Sequence, residues 1–126
     1  MILYDEITMY KTTDGKIFED EDEARVYALT KEAEAFGDDL KCYNYDMALI
    51  PLNQLALNAD EIFYMNIKSE KAYEWISDFI ADYCGYVVDG LTKAGIYVYD
   101  EDINIWINLD EKIKDLQELK EEIERG

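Results

Sequence analysis

Four carboxylates, Glu70, Glu74, Asp78 and Asp82, recur every fourth residue through a stretch that also holds Tyr73, Trp75, Ile76, Phe79, Ile80 and Tyr83. On an α-helix this spacing draws the acids into one ridge, with neighbours about 6 Å apart at a rise of ~1.5 Å per residue. Like charges four residues apart cost a helix roughly 0.2–0.5 kcal/mol per pair. Local stability therefore gives no reason for three successive pairs, and only Lys71 lies nearby in sequence to soften them. The chemistry open to such a ridge is electrostatic: it offers a line of negative charge to a cationic surface. A phosphate backbone carries one charge per ~3.4 Å of axis on each strand, so the ridge alone supplies about half that density. Glu19-Asp20-Glu21-Asp22-Glu23, Asp38-Asp39 and Asp100-Glu101-Asp102 are the acidic clusters that could supply the rest. The plainer reading is a solvated face, since a strongly acidic chain acquires such stripes by chance.

Other chemistries find less support. Asp100, Asp102, Asn104, Asn108 and Glu111 fall at positions 1, 3, 5, 9 and 12 of an EF-hand calcium loop. Position 6, where glycine makes the sharp turn, is Ile105, and the residues before Asp100 alternate as a strand and not as an entering helix. A hairpin with an acidic turn explains the same residues better. The chain has no histidine, which removes histidine-based triads, histidine-ligated zinc and the usual general base near neutral pH. Carboxylate pairs are inevitable among 30 acids, yet none has a spacing that recommends hydrolysis or metal-dependent cleavage. There is no glycine-rich phosphate loop, and Cys42 and Cys84 have no CxxC partner. The expectation is a protein that is not an enzyme and needs neither cofactor nor metal.

The elements that must position the acids are legible in outline. With 126 residues, 49% of them hydrophobic, the chain has the size of one domain and enough apolar material for a core. A net charge of −18 is the mark of many disordered chains, but 11 Tyr, 4 Phe and 2 Trp are not. Alternation in Ile7–Lys11 and Lys16–Phe18 about Thr12-Thr13-Asp14-Gly15 predicts a β-hairpin. A helix over Asp20–Phe36 follows, its first turn rich in carboxylates and its end marked by Gly37. Leu40–Tyr45 and Glu61–Ile67 read as strands, with a short helix opened by Pro51 between them. Ser69 caps a helix over Glu70–Cys84 that Gly85 closes. Ile96–Tyr99 and Asn104–Ile107 form a second hairpin. Asp110 then opens a last helix with Leu109, Ile113, Leu116, Leu119 and Ile123 on one stripe, taken by default to pack within the chain, though pairing with a second copy is open. The whole predicts a single α+β domain over residues 1–126, with a mixed or antiparallel sheet, three to four helices and ββα units at both ends.

Thr13-Asp14-Gly15-Lys16-Ile17-Phe18 leading into Glu19–Arg25, together with Tyr97-Val98-Tyr99-Asp100-Glu101 and Trp106-Ile107-Asn108-Leu109-Asp110-Glu111, resembles small acidic proteins of phages and mobile elements from Gram-positive bacteria. Some acidic proteins of that setting are anti-CRISPR or anti-restriction inhibitors. The resemblance implies an anti-defence protein of the host cytoplasm, with Cas9 among its candidate targets, and assigns no residue a role.

Charge points the same way. A pI near 4.1 repels nucleic acids and anionic membranes and draws basic surfaces. The expected partner is a basic nucleic-acid-binding protein such as a CRISPR effector or restriction nuclease, which holds DNA through Lys and Arg. Direct nucleic-acid binding and membrane association are not expected. The segment Met1–Glu6 carries no basic stretch leading into an apolar core, which suits a cytoplasmic protein. The partner-binding candidates are Glu70, Glu74, Asp78 and Asp82, joined by Glu19, Asp20, Glu21, Asp22, Asp100, Glu101 and Asp102. The alternative is an interaction module or accessory phage protein whose acidity serves solubility and whose partner meets an apolar and tyrosine patch.

Overall fold

A computed structural model describes residues 9–85 and 87–126 of the chain. Strands β1 (Tyr10–Lys11) and β2 (Ile17–Phe18) pair antiparallel in a small sheet of their own. Ile7 and Thr8 of the expected first strand lie outside the described residues. Gly15 takes the positive φ (91°) the turn requires, and Asp14 holds it closed by accepting from the Thr12 hydroxyl, the Lys16 N–H and the Tyr27 hydroxyl of the next helix. Those bonds, the Thr12 hydroxyl first and then Tyr27, hold the Asp14 carboxyl below the usual carboxylate range.

Helix α1 (Glu21–Glu34) begins where Asp20 accepts from the N–H groups of Asp22 and Glu23 at 2.7 and 3.4 Å. The main sheet is antiparallel throughout, built from β3 (Leu40–Tyr43), β4 (Leu49–Ile50), β5 (Tyr64–Ile67), β6 (Gly95–Asp100) and β7 (Ile105–Asn108). Its spatial order is β4-β3-β5-β6-β7. Among the described residues there are three α-helices, completed by α2 (Glu70–Asp78) and α3 (Leu109–Arg125). The α+β class is as expected. The segment after Pro51 forms only short 3-10 turns at Leu52–Gln54 and Ala59–Glu61, while Leu55 and Ala56 drop into the core between them.

Strand alternation sorts the sheet into two faces. One carries Leu40, Cys42, Met65, Ile67, Tyr97 and Trp106, all buried with Ala72 and Ile76 of α2 and with Phe79 and Ile80 just after it. Each fully buried aliphatic side chain there contributes about 1.5–3 kcal/mol. The segment after α2 folds along β7: Trp106 donates its backbone N–H to the Asp89 carbonyl at 2.8 Å and its indole N–H to the Val87 carbonyl at 3.2 Å. The second face lies outside this core. Across it the strand register aligns Leu49, Tyr43, Tyr64, Val98 and Ile107, one from each strand.

Three expectations are corrected. The helix predicted over Glu70–Cys84 is α-helical only to Asp78, and Phe79–Tyr83 is a π turn closed by Cys84 N–H on the Phe79 carbonyl at 3.1 Å. The wider turn keeps Phe79 and Ile80 together in the core while Tyr83 still stacks on Phe79, ring centroids 5.2 Å apart. The last helix opens one residue early, at Leu109, because Asn108 is the cap and accepts from the Glu111 N–H at 3.1 Å. More consequentially, its apolar stripe does not pack within the described chain. Every residue from Asp110 onward is exposed, and Ile113, Leu116, Leu119 and Ile123 keep between 52% and 70% of their surface.

Candidate functional site

Ser69 starts α2 by accepting from the Ala72 N–H at 3.1 Å, and burial of Ala72 and Ile76 then fixes which side of the helix meets the sheet. Glu70, Glu74, Asp78 and Asp82 are thereby left exposed. They are not equivalent. Glu70 lies at the β6 start, where it accepts from the Ala94 N–H at 3.2 Å. Asp78 lines a cleft between α2 and α1 together with Asp82, Arg25, Glu32 and Trp75. Asp82 lies inside the π turn, just beyond the last α-helical residue, Asp78. Three acids of the ridge thus stand on α2 itself and the fourth on the turn that follows, still beside Asp78 in the cleft. Arg25, whose guanidinium lies 5.0 Å from the Tyr83 ring centroid, is a cation beside the ridge that only the tertiary fold supplies.

The remaining candidates divide. Asp20 is committed as the α1 cap, while Glu19, Glu21 and Asp22 are exposed around that helix start. Contacts of Arg25 with Tyr83 and of Glu32 with Trp75 show α1 and α2 running antiparallel, so this cluster lies toward the Asp82 end of α2. Asp100, Glu101 and Asp102 form the β6–β7 turn, where Asp100 accepts from the Asp102 N–H at 3.0 Å and Asn104 takes a positive φ of 54°. Of the five residues spaced like a calcium loop, Asn108 is buried as the α3 cap and Glu111 pairs with Lys93 at 3.2 Å, both at the far end of β7 from Asp100 and Asp102. These residues are arranged as a hairpin and do not converge.

Antiparallel topology also gathers acids that sequence reading passed over. Asp46 in the β3–β4 turn and Asp60 and Glu61 before β5 line one depression with Glu101, Tyr45 and Phe63. Asp60 also lies near enough to Cys84, just past α2, to raise its thiol pKa. Asp46, Asp60, Glu61, Asp82 and the Asp100–Asp102 turn therefore share one end of the sheet, and Glu70 marks the other. The available sequence signal was that each of these acids flanks a strand at the same end of an antiparallel ladder. Tyr45, 67% exposed, stacks edge-on against Phe63 at 5.0 Å in the midst of these charges.

The two thiols offer no nucleophile at neutral pH: burial pushes Cys42 up to about 12, with Cys84 adding to it, and burial with Asp60 does the same to Cys84. No group of three or more metal-ligating side chains is assembled among the described residues. Set against known protein families, curated proteins and solved structures, the chain matches none.

Proposed function

We propose that this protein is a phage-type anti-defence inhibitor that binds the basic nucleic-acid-binding surface of a nuclease, a CRISPR effector such as Cas9 or a restriction enzyme, with its carboxylates standing in for phosphates. The observation that carries this reading is that Glu70, Glu74 and Asp78 line up exposed on one rigid helix and that Asp82, Asp60, Glu61 and Asp100–Asp102 extend the negative surface at its far end. Acids from several elements make up the density that one ridge lacks. The protein acts by occupation and not by catalysis, in the host cytoplasm, and its ββα units at either end serve as frames for the acidic turns.

The test is plasmid cleavage by purified Cas9 ribonucleoprotein and by a panel of restriction nucleases, at low and high salt, with the protein and with a Glu70→Lys, Glu74→Lys, Asp78→Lys, Asp82→Lys variant. Inhibition that weakens with salt and vanishes in the variant is the expected result. Inhibition that survives reversal of all four charges would sink the mechanism.

A second reading has its own observation. Tyr45, Phe63 and Tyr64 form a partly exposed aromatic group, ring centroids 5.0 and 4.9 Å apart, suited to anchoring a partner that is not basic. Binding through that group would be nearly indifferent to ionic strength.

A further inference from the structure

After Pro51 the chain turns Leu55 and Ala56 into the core and leaves the next residue, Leu57, 69% exposed. Leu57 shares an apolar groove of about 490 Å³ with Val26 and Tyr27 of α1 and Phe18 of β2, a size that seats a small ligand or an anchoring side chain. Its walls are held from within the fold. The Phe18 and Tyr27 rings pack with centroids 5.2 Å apart, and the Tyr27 hydroxyl donates to Asp14 of the hairpin turn. Asp22, Val26 and Thr30 of the lining follow one another at four-residue spacing, so the groove runs along α1 for about 12 Å. Asp22 and Glu23 stand at one end of it, exposed, and among the described residues no ion pair or hydrogen bond engages either carboxylate.

Charge selects the occupant. Glu19 to Glu23 place a run of carboxylates at this end of the groove. Against them stand Lys16 and Lys31, 5.7 and 5.6 Å from the Tyr27 ring centroid, and the roughly half positive charge of the helix start. The balance is negative, and the net charge of −18 adds a long-range field of the same sign. A nucleic acid, an anionic bilayer or a second copy of the chain is repelled. A uniformly basic surface would be drawn in but would leave the apolar walls exposed to water.

We infer that the groove takes a short extended segment of a partner protein in which a large apolar side chain is followed two residues on by arginine or lysine. The apolar side chain fills the space between Leu57, Val26 and the Phe18–Tyr27 pair, and the cation reaches Asp22 and Glu23. The spacing comes from the helix. One turn, about 6 Å, separates Val26 from Asp22, and two residues of extended chain span about 6.8 Å. A partner of this kind rests on the function proposed above and adds an apolar anchor to it. The anchor lies on a different side of α1 from Arg25 and Glu32, which face α2, so it is separate from the Glu70–Asp82 ridge.

Amide-resolved NMR spectra of the isotopically labelled full chain, titrated with the peptide acetyl-Trp-Ser-Arg-amide, test the assignment. The expected result is a set of shifts at Val26, Thr30 and Leu57. Binding should weaken roughly tenfold in Leu57→Ser, and its salt dependence should lessen in an Asp22→Asn, Glu23→Gln variant. Position 57 is exposed, and the same spectra report the fold of each variant. No shift at these residues, or shifts confined to Glu70, Glu74 and Asp78, overturns the inference. Equal binding of acetyl-Trp-Ser-Gln-amide also overturns it, since the groove would then be a plain apolar pocket. Peptide binding at the groove in a chain that inhibits no nuclease would uphold this site and sink the anti-defence reading. Nuclease inhibition by a chain whose groove ignores the peptide would do the reverse.

Discussion

Trp75 of α2 donates its indole N–H to the Glu32 carboxylate of α1 at 2.8 Å, while its ring lies between Phe36 and Phe79 at centroid distances of 5.7 and 5.0 Å. One residue thus ties the acid-bearing helix to its neighbour by stacking and by a charge-assisted bond. Trp75→Ala should cost about 2 kcal/mol, less than a fully buried ring because Trp75 is half-buried. Glu32→Gln, which keeps an acceptor, should fall within about 0.5 kcal/mol of the parent, and Glu32→Ala should lose about 1 kcal/mol. Urea midpoints at constant m-value measure all three.

Glu74 stands between Glu70 and Asp78 on a regular α-helical ridge and feels both. Glu74→Gln should therefore stabilise the fold by about 0.5 kcal/mol at low ionic strength, an increment that shrinks as salt is added. Asp82→Asn should gain less, because Asp82 ends the ridge with one acidic neighbour on it, Asp78, where Glu74 has two. Thermal unfolding of the two variants at two salt concentrations tests the difference. Equal gains would mean that the count of ridge neighbours does not set the effect. If the ridge binds a basic surface, Glu74→Gln should also weaken inhibition while strengthening the fold.

Cys42 and Cys84 both have folded-state pKa values pushed from 9.0 up to about 12, chiefly by burial. A raised thiol pKa means that the folded state holds its proton where the unfolded state releases it. Stability is then complete below about pH 9 and declines as pH rises toward 12. Cys84→Ser should flatten that alkaline decline. Thiol-reactive dye should reach half-buried Cys84 first, while fully buried Cys42 is labelled only as the protein unfolds in urea.

Gly90, at φ +95°, brings its backbone against Trp106, and a Cβ there would run into the Trp106 carbonyl. Gly90→Ala combines that collision with an unfavourable φ and should cost roughly 3 kcal/mol, a fall of about 10 °C in Tm. Because Trp106 N–H bonds to Asp89 next door, amide exchange at Trp106 should accelerate more than exchange at Met65 in the sheet centre. Uniform acceleration would mean that Gly90 supports the whole fold and not the β7 edge.

Local signals in the sequence determined the helix starts at Asp20 and Ser69, the Asp14-Gly15 turn, the strand alternation and the acid repeat, because capping, positive φ and side-chain period are properties of a few adjacent residues. The π turn was not legible there, since what widens the helix at Phe79 is simultaneous burial of Phe79 and Ile80 against a sheet formed from distant residues. Nor was the company of the acids: only the antiparallel order β4-β3-β5-β6-β7 brings Asp46, Asp60 and Glu61 beside Glu101 and swings Arg25 over to Tyr83. The stripe on α3 was visible as a pattern, but a pattern says only that a face wants burial. Whether the chain itself supplies the surface depends on where Asn108 and Lys93 aim the helix, and they aim it away from the core.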